Sequence, residues 1–281
     1  MPDCALVLLA GGKAVRMNRL SHYCSKPATI VFDRPLLVRT LDFARSAGIC
    51  RAYISTTSEH LDQLAGIVER YRTDPHASRG DFDIEVRLNP FHKYGAIPAF
   101  LSALSWLDTE LCALALADEF FSSNPFSTLF SSIADATAVL SLAPAFVPEE
   151  LNLGGVVFCN GPRITRIEER SSRFPTGAHR WTGAALLRTT VRDSLSKYVE
   201  SVPADAPIGE AFSRLLASGF DIRTDFETDF VNVNTNEDLL LANLYAALAA
   251  LKQIEGLSDA VSEAISRLRV GLAARAIRGL P

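Results

Sequence analysis

Four short apolar runs alternate with helix-period segments through the first 120 residues of the chain. The runs cover residues 5–10, 52–56, 84–88 and 112–117, and the segments between them cover 35–47, 59–71 and 97–107. Nearly continuous apolar strands are typical of a parallel sheet with helices on both faces, because such strands have no solvated side. The pattern therefore predicts a three-layer α/β fold with a mostly parallel sheet.

The pattern changes near residue 137. Short strands are predicted at 137–143, 155–159 and 163–168, and they indicate an antiparallel insertion beside the main sheet. A helix is predicted at 207–218, a short strand at 230–234 and a capped helix at 239–254. The amphipathic segment 258–277 predicts either a solvated helix packed on the body or a contact within a homo-oligomer.

The composition excludes several classes of protein. The 281 residues are 48% hydrophobic and 21% charged, which is enough apolar material for a large core. A net charge of -4 gives no global electrostatic reason to bind nucleic acid or an anionic membrane. The apolar runs are far shorter than the roughly 20 residues of a membrane span, and the residues before the first strand lack the basic and apolar regions of a signal peptide, so we expect neither a transmembrane helix nor export. The five cysteines are scattered singly, so we expect a cytoplasmic protein without a zinc site or disulfides.

Two consecutive glycines, Gly11 and Gly12, end the first strand. Glycines without a Cβ let the backbone approach a ligand closely, and successive N–H groups can then point at phosphate oxygens. The turn matches neither the P-loop pattern nor the dinucleotide fingerprint. Taken alone, it fits a plain strand-to-helix connection equally well.

Charged residues near this turn favour a phosphate site. Arg16 follows the glycines, and Lys26 stands where the chain can return to the same place. An Arg fork and a compact Lys charge both suit the phosphates of a triphosphate, although each residue alone could be a surface charge. Asp118 directly follows the apolar run 114–117 and so lies at the carboxyl edge of the predicted parallel sheet. Ligand-binding residues are usually found at this edge.

These motifs and their order along the chain resemble those of the nucleotidyltransferases of the sugar-1-phosphate type. The family signature L-A-G-G-x-G-x-R-M is similar to L-A-G-G-K-A-V-R-M at 9–17, and the K-P-L-x-x-V block is similar to K-P-A-T-I-V at 26–31. Choline-phosphate and phosphonate cytidylyltransferases and molybdenum-cofactor enzymes belong to the same family. The resemblance implies a GT-A-like, Rossmann-like nucleotidyltransferase domain at 1–250. Its nucleotide-binding half would be about 1–120, its acceptor-binding half about 121–235, and a helical tail would follow at 251–281.

The resemblance also implies a magnesium-dependent reaction. A nucleoside monophosphate would pass from a nucleoside triphosphate to a small anionic acceptor, with release of pyrophosphate. Arg16 would hold the departing phosphates, Lys26 the phosphates around the reacting phosphorus, and Asp118 the Mg²⁺. Asn232 stands where many members have a second metal-binding Asp, and Asp229 is a fallback ligand.

Binding residues are carried over by the same resemblance. The nucleotide-binding set is Ala10, Gly11, Gly12, Lys13, Asn89, Gly95 and Ala96. The acceptor-binding set is Gly155, Glu169, Arg170, Trp181, Thr182 and Gly183. Basic residues flank the second set, which is consistent with an anionic acceptor, and Trp181 either stacks on the acceptor or belongs to the core.

Two departures from the family pattern support a different reading. Ala14 replaces a signature glycine, and Asn232 brings no charge to a metal. A catalytically weak nucleotide-binding regulatory or assembly protein of the same fold is therefore the alternative. A glycosyltransferase is disfavoured because Asp118-Glu119-Phe120 is not a D-x-D motif, and Glu119 is expected to point away from Asp118. The sequence leaves the base and the acceptor open.

Overall fold

The computed structural model describes residues 3–12, 24–75, 81–144, 155–169, 179–199, 203, 206–226 and 230–252. The strands in this part of the chain are β1 (Cys4–Leu9), β2 (Ile30–Val31), β3 (Arg34–Pro35), β4 (Arg51–Thr56), β5 (Asp83–Leu88), β6 (Leu111–Leu116), β7 (Glu119–Phe121), β8 (Ala138–Pro144), β9 (Val156–Asn160), β10 (Arg163–Glu168), β11 (His179–Arg188), β12 (Ile222–Phe226) and β13 (Phe230–Asn232). The helices are α1 (Leu36–Ser46), α2 (Leu61–Thr73), α3 (Ala96–Leu104), α4 (Pro125–Ile133), α5 (Arg192–Val199), α6 (Gly209–Ala217) and α7 (Asn236–Lys252). Short 3-10 helices occupy Lys26–Ala28, Pro90–Tyr94 and Thr189–Val191.

One mixed sheet of nine strands runs through the molecule in the order β5-β4-β1-β6-β11-β8-β12-β10-β9. The strands predicted in the first 120 residues form its parallel half, in which β1 pairs with both β4 and β6. The antiparallel strands are not an insertion beside this sheet, as the sequence suggested. They continue it, because β11 pairs antiparallel with both β6 and β8. The α/β class is confirmed, but the sheet is mixed rather than mostly parallel.

Alternating side chains of β1 pack into two different buried clusters. Leu6 and Leu8 face a cluster that includes residues of α1, α2 and α4. Ala5 and Val7 face a second cluster that includes residues of α3, α5 and α6. Successive strand residues point to opposite faces, so a strand that is apolar throughout is buried on both sides.

Helix α7 packs on the short β7–β13 pair through Phe120, Val231 and Ala242. Its N-terminus is a capping box, since Thr235 Oγ1 accepts from the Asp238 N–H while the Asp238 carboxylate accepts from the Thr235 and Asn234 N–H groups. The helix therefore begins at Asn236, three residues before the predicted start. Most of the predicted tail, including 258–277, lies outside the described residues. In the part of the chain that the structure describes, no helix is long and apolar enough to cross a bilayer.

Candidate active site

A cavity of about 260 Å³ opens where β1 and β6 end. The carboxyl ends of parallel strands meet at one edge of a sheet, so residues 10–12 and 117–118 come together there. The predicted residues that line this first cavity are Ala10, Gly11, Gly12, Lys26, Gly95, Ala96 and Asp118. Three other predicted site residues, Lys13, Arg16 and Arg170, lie outside the described residues, as do Ala14 and Asp229.

Lys26 and Asp118 form an ion pair in the first cavity. The Lys26 side chain is buried at 8% exposure, and its Nζ lies 2.8 Å from Asp118 Oδ2. The same ammonium donates to Asn234 Oδ1 at 2.5 Å, and Asn234 Nδ2 in turn donates to Asn232 Oδ1. A buried ammonium is tolerated only when it is paired and hydrogen-bonded. Asn234 was not selected from the sequence, although it lies in the same Asn232-Val233-Asn234 segment as the predicted ligand.

The His92 ring packs directly over Gly11. A Cβ at residue 11 would overlap that ring, whereas a Cβ at residue 12 would meet no described residue within 4 Å. His92 is held there by Ser55, whose carbonyl oxygen and Oγ each lie 3.0 Å from His92 Nε2. Gly11 is therefore required by this close side-chain approach and not by its backbone conformation, which lies outside the positive-φ region.

Gly11→Ala is expected to lower the free energy of unfolding by about 1–3 kcal/mol, because the new methyl group must displace the His92 ring. Gly12→Ala is the matched control, since its methyl group contacts none of the residues that the structure describes. Thermal unfolding of both variants checks the prediction. Equal melting temperatures for the two variants would contradict it.

Asn89, assigned above to nucleotide binding, does not line the first cavity. Its side chain is buried, its Nδ2 donates to Ser55 Oγ at 2.9 Å and to the Ala99 carbonyl at 2.8 Å, and its Oδ1 accepts from the Phe91 N–H at 3.0 Å. These contacts fix the 3-10 turn that leads to Gly95. A direct contact between Asn89 and a nucleotide stays a prediction.

A second cavity, of about 200 Å³, adjoins the first through the shared lining residues Ala96 and Leu116. The predicted residues that line it are Glu169, Trp181, Gly183 and Asn232, and Glu119 and Arg180 join them. Arg180 is one of the basic residues that flank the predicted acceptor-binding set, and it was not selected as a site residue from the sequence. The structure thus places predicted acceptor residues in a separate space beside the predicted nucleotide residues.

A bulge in β11 borders this second cavity. The pairing with β8 shifts register between Trp181 and Ala185, and pairing with β6 begins only at Ala185. Gly183 lies in the bulge at φ +87°, where a Cβ would be 3.0 Å from Glu119 Cγ and 3.1 Å from Leu116 Cγ. Bulges often re-aim side chains beside functional sites, and this one leaves the Leu116 end of β6 uncovered.

Two glycines, Gly155 and Gly209, leave room for the Glu169 carboxylate. A Cβ on Gly209 would overlap the Glu169 carboxylate, and one on Gly155, at φ +69°, would lie 3.0 Å from that carboxylate. The Trp181 Nε1 donates to the Ala184 carbonyl at 2.8 Å, so its ring reaches the cavity with its N–H already bonded. Thr182 is fully buried and donates to the Ser141 carbonyl at 3.0 Å, and it does not line either cavity.

Glu119 points into the second cavity, whereas Asp118 lines the first. The residue is 3% exposed, and its Oε2 is buried without a hydrogen-bond partner among the described residues. Burial, and next the charge of Asp118, raise the pKa of Glu119 well above its ordinary value of 4.5, while Arg180 and Lys26 act in the opposite direction. Glu119 therefore retains a proton at pH values where an exposed glutamate is ionised.

Glu119→Gln is expected to gain thermal stability relative to the unsubstituted protein as the pH rises. Above pH 4.5 the unfolded chain loses the Glu119 proton while the folded chain keeps it, so stability is lost as pH rises from 4.5 to the raised folded-state pKa. The amide does not ionise and escapes this loss. Thermal unfolding from about pH 5 to about pH 8 checks the sign. A difference in melting temperature that is constant over this range would contradict the prediction.

Asp118 and Asn232 offer the oxygen donors that Mg²⁺ prefers. The backbone brings them near each other, since Glu119 is paired with Asn232 and the Val233 N–H donates to the Asp118 carbonyl at 2.9 Å. No group of three or more His, Cys, Asp or Glu that could hold a metal is found in the described ranges. The donor set fits Mg²⁺ only when phosphate and water oxygens complete the coordination, which is how Mg²⁺ is commonly bound with nucleotides.

Comparisons with known proteins identify similar domains and relatives. The model of the MobA-like NTP transferase domain matches residues 6–266. The chain is 22% identical over 269 residues to a glucose-1-phosphate thymidylyltransferase of Streptomyces griseus, and this alignment covers 94% of the chain and 72% of that protein.

Two solved structures share the fold. One is described as a glucose-1-phosphate thymidylyltransferase from Bacillus anthracis in complex with sucrose. It has a TM-score of 0.72 at 17% identity, and the alignment covers 86% of this chain and 95% of that chain. The other is the inositol-1-phosphate CTP transferase from T. maritima. It has a TM-score of 0.68 at 15% identity, and the alignment covers 85% of this chain and 94% of that chain. At these identities the likeness shows the fold alone.

Proposed function

The chain belongs to the MobA-like NTP transferase family, which confirms the predicted nucleotidyltransferase family, and from this premise we propose that it transfers a nucleoside monophosphate from a nucleoside triphosphate to a small phosphorylated acceptor. The observation that carries the proposal is the ion pair of Lys26 and Asp118, 2.8 Å apart in a cavity whose wall is the glycine turn. A triphosphate would occupy this first cavity, with the acceptor in the adjoining second one.

The reaction is an in-line displacement. A phosphate oxygen of the acceptor attacks the α-phosphorus, the bond from that phosphorus to the β-phosphate oxygen breaks, and pyrophosphate leaves with the bonding electrons. An ionised phosphate is already nucleophilic, so no general base is required. Lys26 would neutralise charge that builds up on the phosphates, and alignment of the two substrates supplies much of the remaining catalysis. Arg16 is proposed to bind the departing phosphates.

Asp118 and Asn232 are the residues that would hold Mg²⁺. The ion would supply positive charge to the triphosphate oxygens. Because Asn232 is uncharged and Lys26 already neutralises Asp118, we propose that the ion binds weakly without nucleotide and tightly with it.

The acceptor is proposed to be a hydroxyl-bearing phosphate such as a sugar phosphate. The Streptomyces griseus relative is named for glucose 1-phosphate, and the walls of the second cavity suit a compound of this kind. Glu119 and Glu169 can bond hydroxyl groups, the Trp181 ring can cover an apolar face, and Arg180 brings a positive charge for the phosphate.

A matrix of nucleoside triphosphates against acceptors, with Mg²⁺ and pyrophosphate release as the readout, tests the proposed function. We expect release to require both substrates and to be highest with sugar phosphates. Phosphocholine and alkyl phosphonates serve as comparison acceptors that lack the ring of hydroxyl groups. Nucleotide binding without pyrophosphate release across the whole matrix would instead favour the regulatory or assembly protein.

A further inference from the structure

His92 has one ring nitrogen bonded to the protein and one that is not. The Ser55 carbonyl oxygen, 3.0 Å from Nε2, can only accept a hydrogen bond, so Nε2 carries the hydrogen. Burial lowers the pKa of His92, and the ring is therefore neutral near pH 7. In this tautomer Nδ1 is a hydrogen-bond acceptor with a lone pair.

Nδ1 of His92 is available as an acceptor in a residue that lines the first cavity. Among the described residues none hydrogen-bonds to Nδ1, and this atom is not one of the buried polar atoms that lack a partner. His92 itself lines the first cavity, with its ring over Gly11 and with Gly95 and Ala96 following in the same segment. The protein thus presents a fixed acceptor to whatever occupies this wall.

A neutral acceptor is a poor neighbour for phosphate. Phosphate oxygens also carry lone pairs, and the cation of this cavity in the described part of the chain is Lys26, on the side of Asp118. Lys26 and His92 therefore favour one orientation of a bound nucleotide, with its phosphates toward Lys26 and its nucleoside toward His92. An N–H or O–H donor of the nucleoside is then the ligand group that can complete the Nδ1 bond.

We propose that His92 selects the base of the triphosphate, because its Nδ1 accepts a hydrogen bond from an exocyclic amino group. Cytosine, adenine and guanine carry such exocyclic amino donors, whereas thymine and uracil carry only carbonyl oxygens outside the ring. A site built to receive a hydrogen bond rejects an analogue that lacks the donor, since its own polar group is then left unpaired. The inference rests on the proposed function and names the class of nucleotide for it.

The test compares CTP, ATP and GTP with UTP and dTTP by direct binding titration and by pyrophosphate release. We expect the full chain to bind an amino-bearing triphosphate at least about tenfold more tightly than UTP or dTTP. His92→Phe keeps a flat ring over Gly11 but has no acceptor, and it should lose most of this preference through weaker binding of the amino-bearing nucleotide. His92→Gln retains an acceptor and should keep part of it.

Phe91→Ala is the matched control, since Phe91 lies in the same 3-10 turn, is exposed and does not line the cavity. It should keep the full preference, and thermal unfolding verifies that each variant is folded. Equal weakening of every nucleotide by His92→Phe, or a preference of the unsubstituted chain for UTP or dTTP, would overturn the inference. The inference would also be overturned if His92→Phe weakened the binding of CTP but not that of dCTP, because the lost hydrogen bond would then come from the ribose 2′-hydroxyl.

The two proposals fail in different ways. Binding with the expected base preference but without pyrophosphate release would refute the proposed reaction and leave the role of His92 standing. Turnover with a base preference that His92→Phe leaves unchanged would refute only the role of His92.

Discussion

Asp118→Asn is expected to slow pyrophosphate release on the order of 10²–10³-fold while the protein stays folded. The asparagine keeps the shape of the side chain and one oxygen that can accept from Lys26 Nζ, which lies 2.8 Å from the carboxylate. What it removes is the negative charge, which we propose is needed to hold Mg²⁺ beside the triphosphate. Steady-state rates at saturating substrates, together with circular dichroism and thermal unfolding, measure the two effects separately.

Asp108→Asn is the matched control for this prediction. Asp108 precedes β6, at the opposite end of the strand from Asp118, and its side chain is 76% exposed. Its ion pair with Arg51 is on the surface, where such pairs contribute little to stability. We expect a normal rate and a normal melting temperature for this variant. An Asp118→Asn enzyme that retained more than about a third of the normal rate would remove Asp118 from the catalytic site.

The first cavity could be largely predicted from the sequence because it depends on one property of parallel sheets. Strands that run the same way end at the same edge, so Gly11 and Asp118, which follow β1 and β6, had to come together. Lys26 could be added through the family motif, and the structure places it against Asp118.

Other contacts of the two cavities depend on tertiary register, which no spacing in the sequence reveals. Glu119 was expected to point away from Asp118, and it does, but the antiparallel pairing with Asn232 and the bulge at Gly183 then turn it into a second cavity. His92 lies between Asn89 and Gly95, which the family resemblance did select, yet the contact with Ser55 that orients its ring could not be predicted from the sequence.

Strand β11 was missed for a related reason. It is buried along nearly its whole length and joins the parallel half of the sheet to the antiparallel half. The sequence motif at Trp181 and Gly183 drew attention to possible ligand contacts and not to the strand that carries them. Because β11 was not predicted, the antiparallel strands were predicted to lie beside the sheet. In the structure β11 links them to β6, and they form part of the same sheet.

Lys26→Met is expected to slow pyrophosphate release on the order of 10²–10³-fold, because methionine removes the one cation of the first cavity in the described part of the chain. It is also expected to lower the free energy of unfolding by about 1–3 kcal/mol, since Asp118 and Asn234 lose a charged hydrogen-bond partner. Lys197→Met, an exposed change on α5, is the control and should alter neither quantity. Rate measurements and denaturant unfolding check both effects.

The double variant Lys26→Met/Asp118→Asn separates catalysis from stability. Lys26→Met alone leaves a carboxylate that is 24% exposed without its ammonium, whereas the double variant leaves no unpaired charge. Its loss of stability should therefore be smaller than the sum of the two single losses. Its rate should stay at least as low as that of the slower single variant, because neither charge remains to act on the triphosphate. Strictly additive losses of stability would mean that the ion pair is not coupled in solution, and recovery of the rate would mean that it serves the fold and not the reaction.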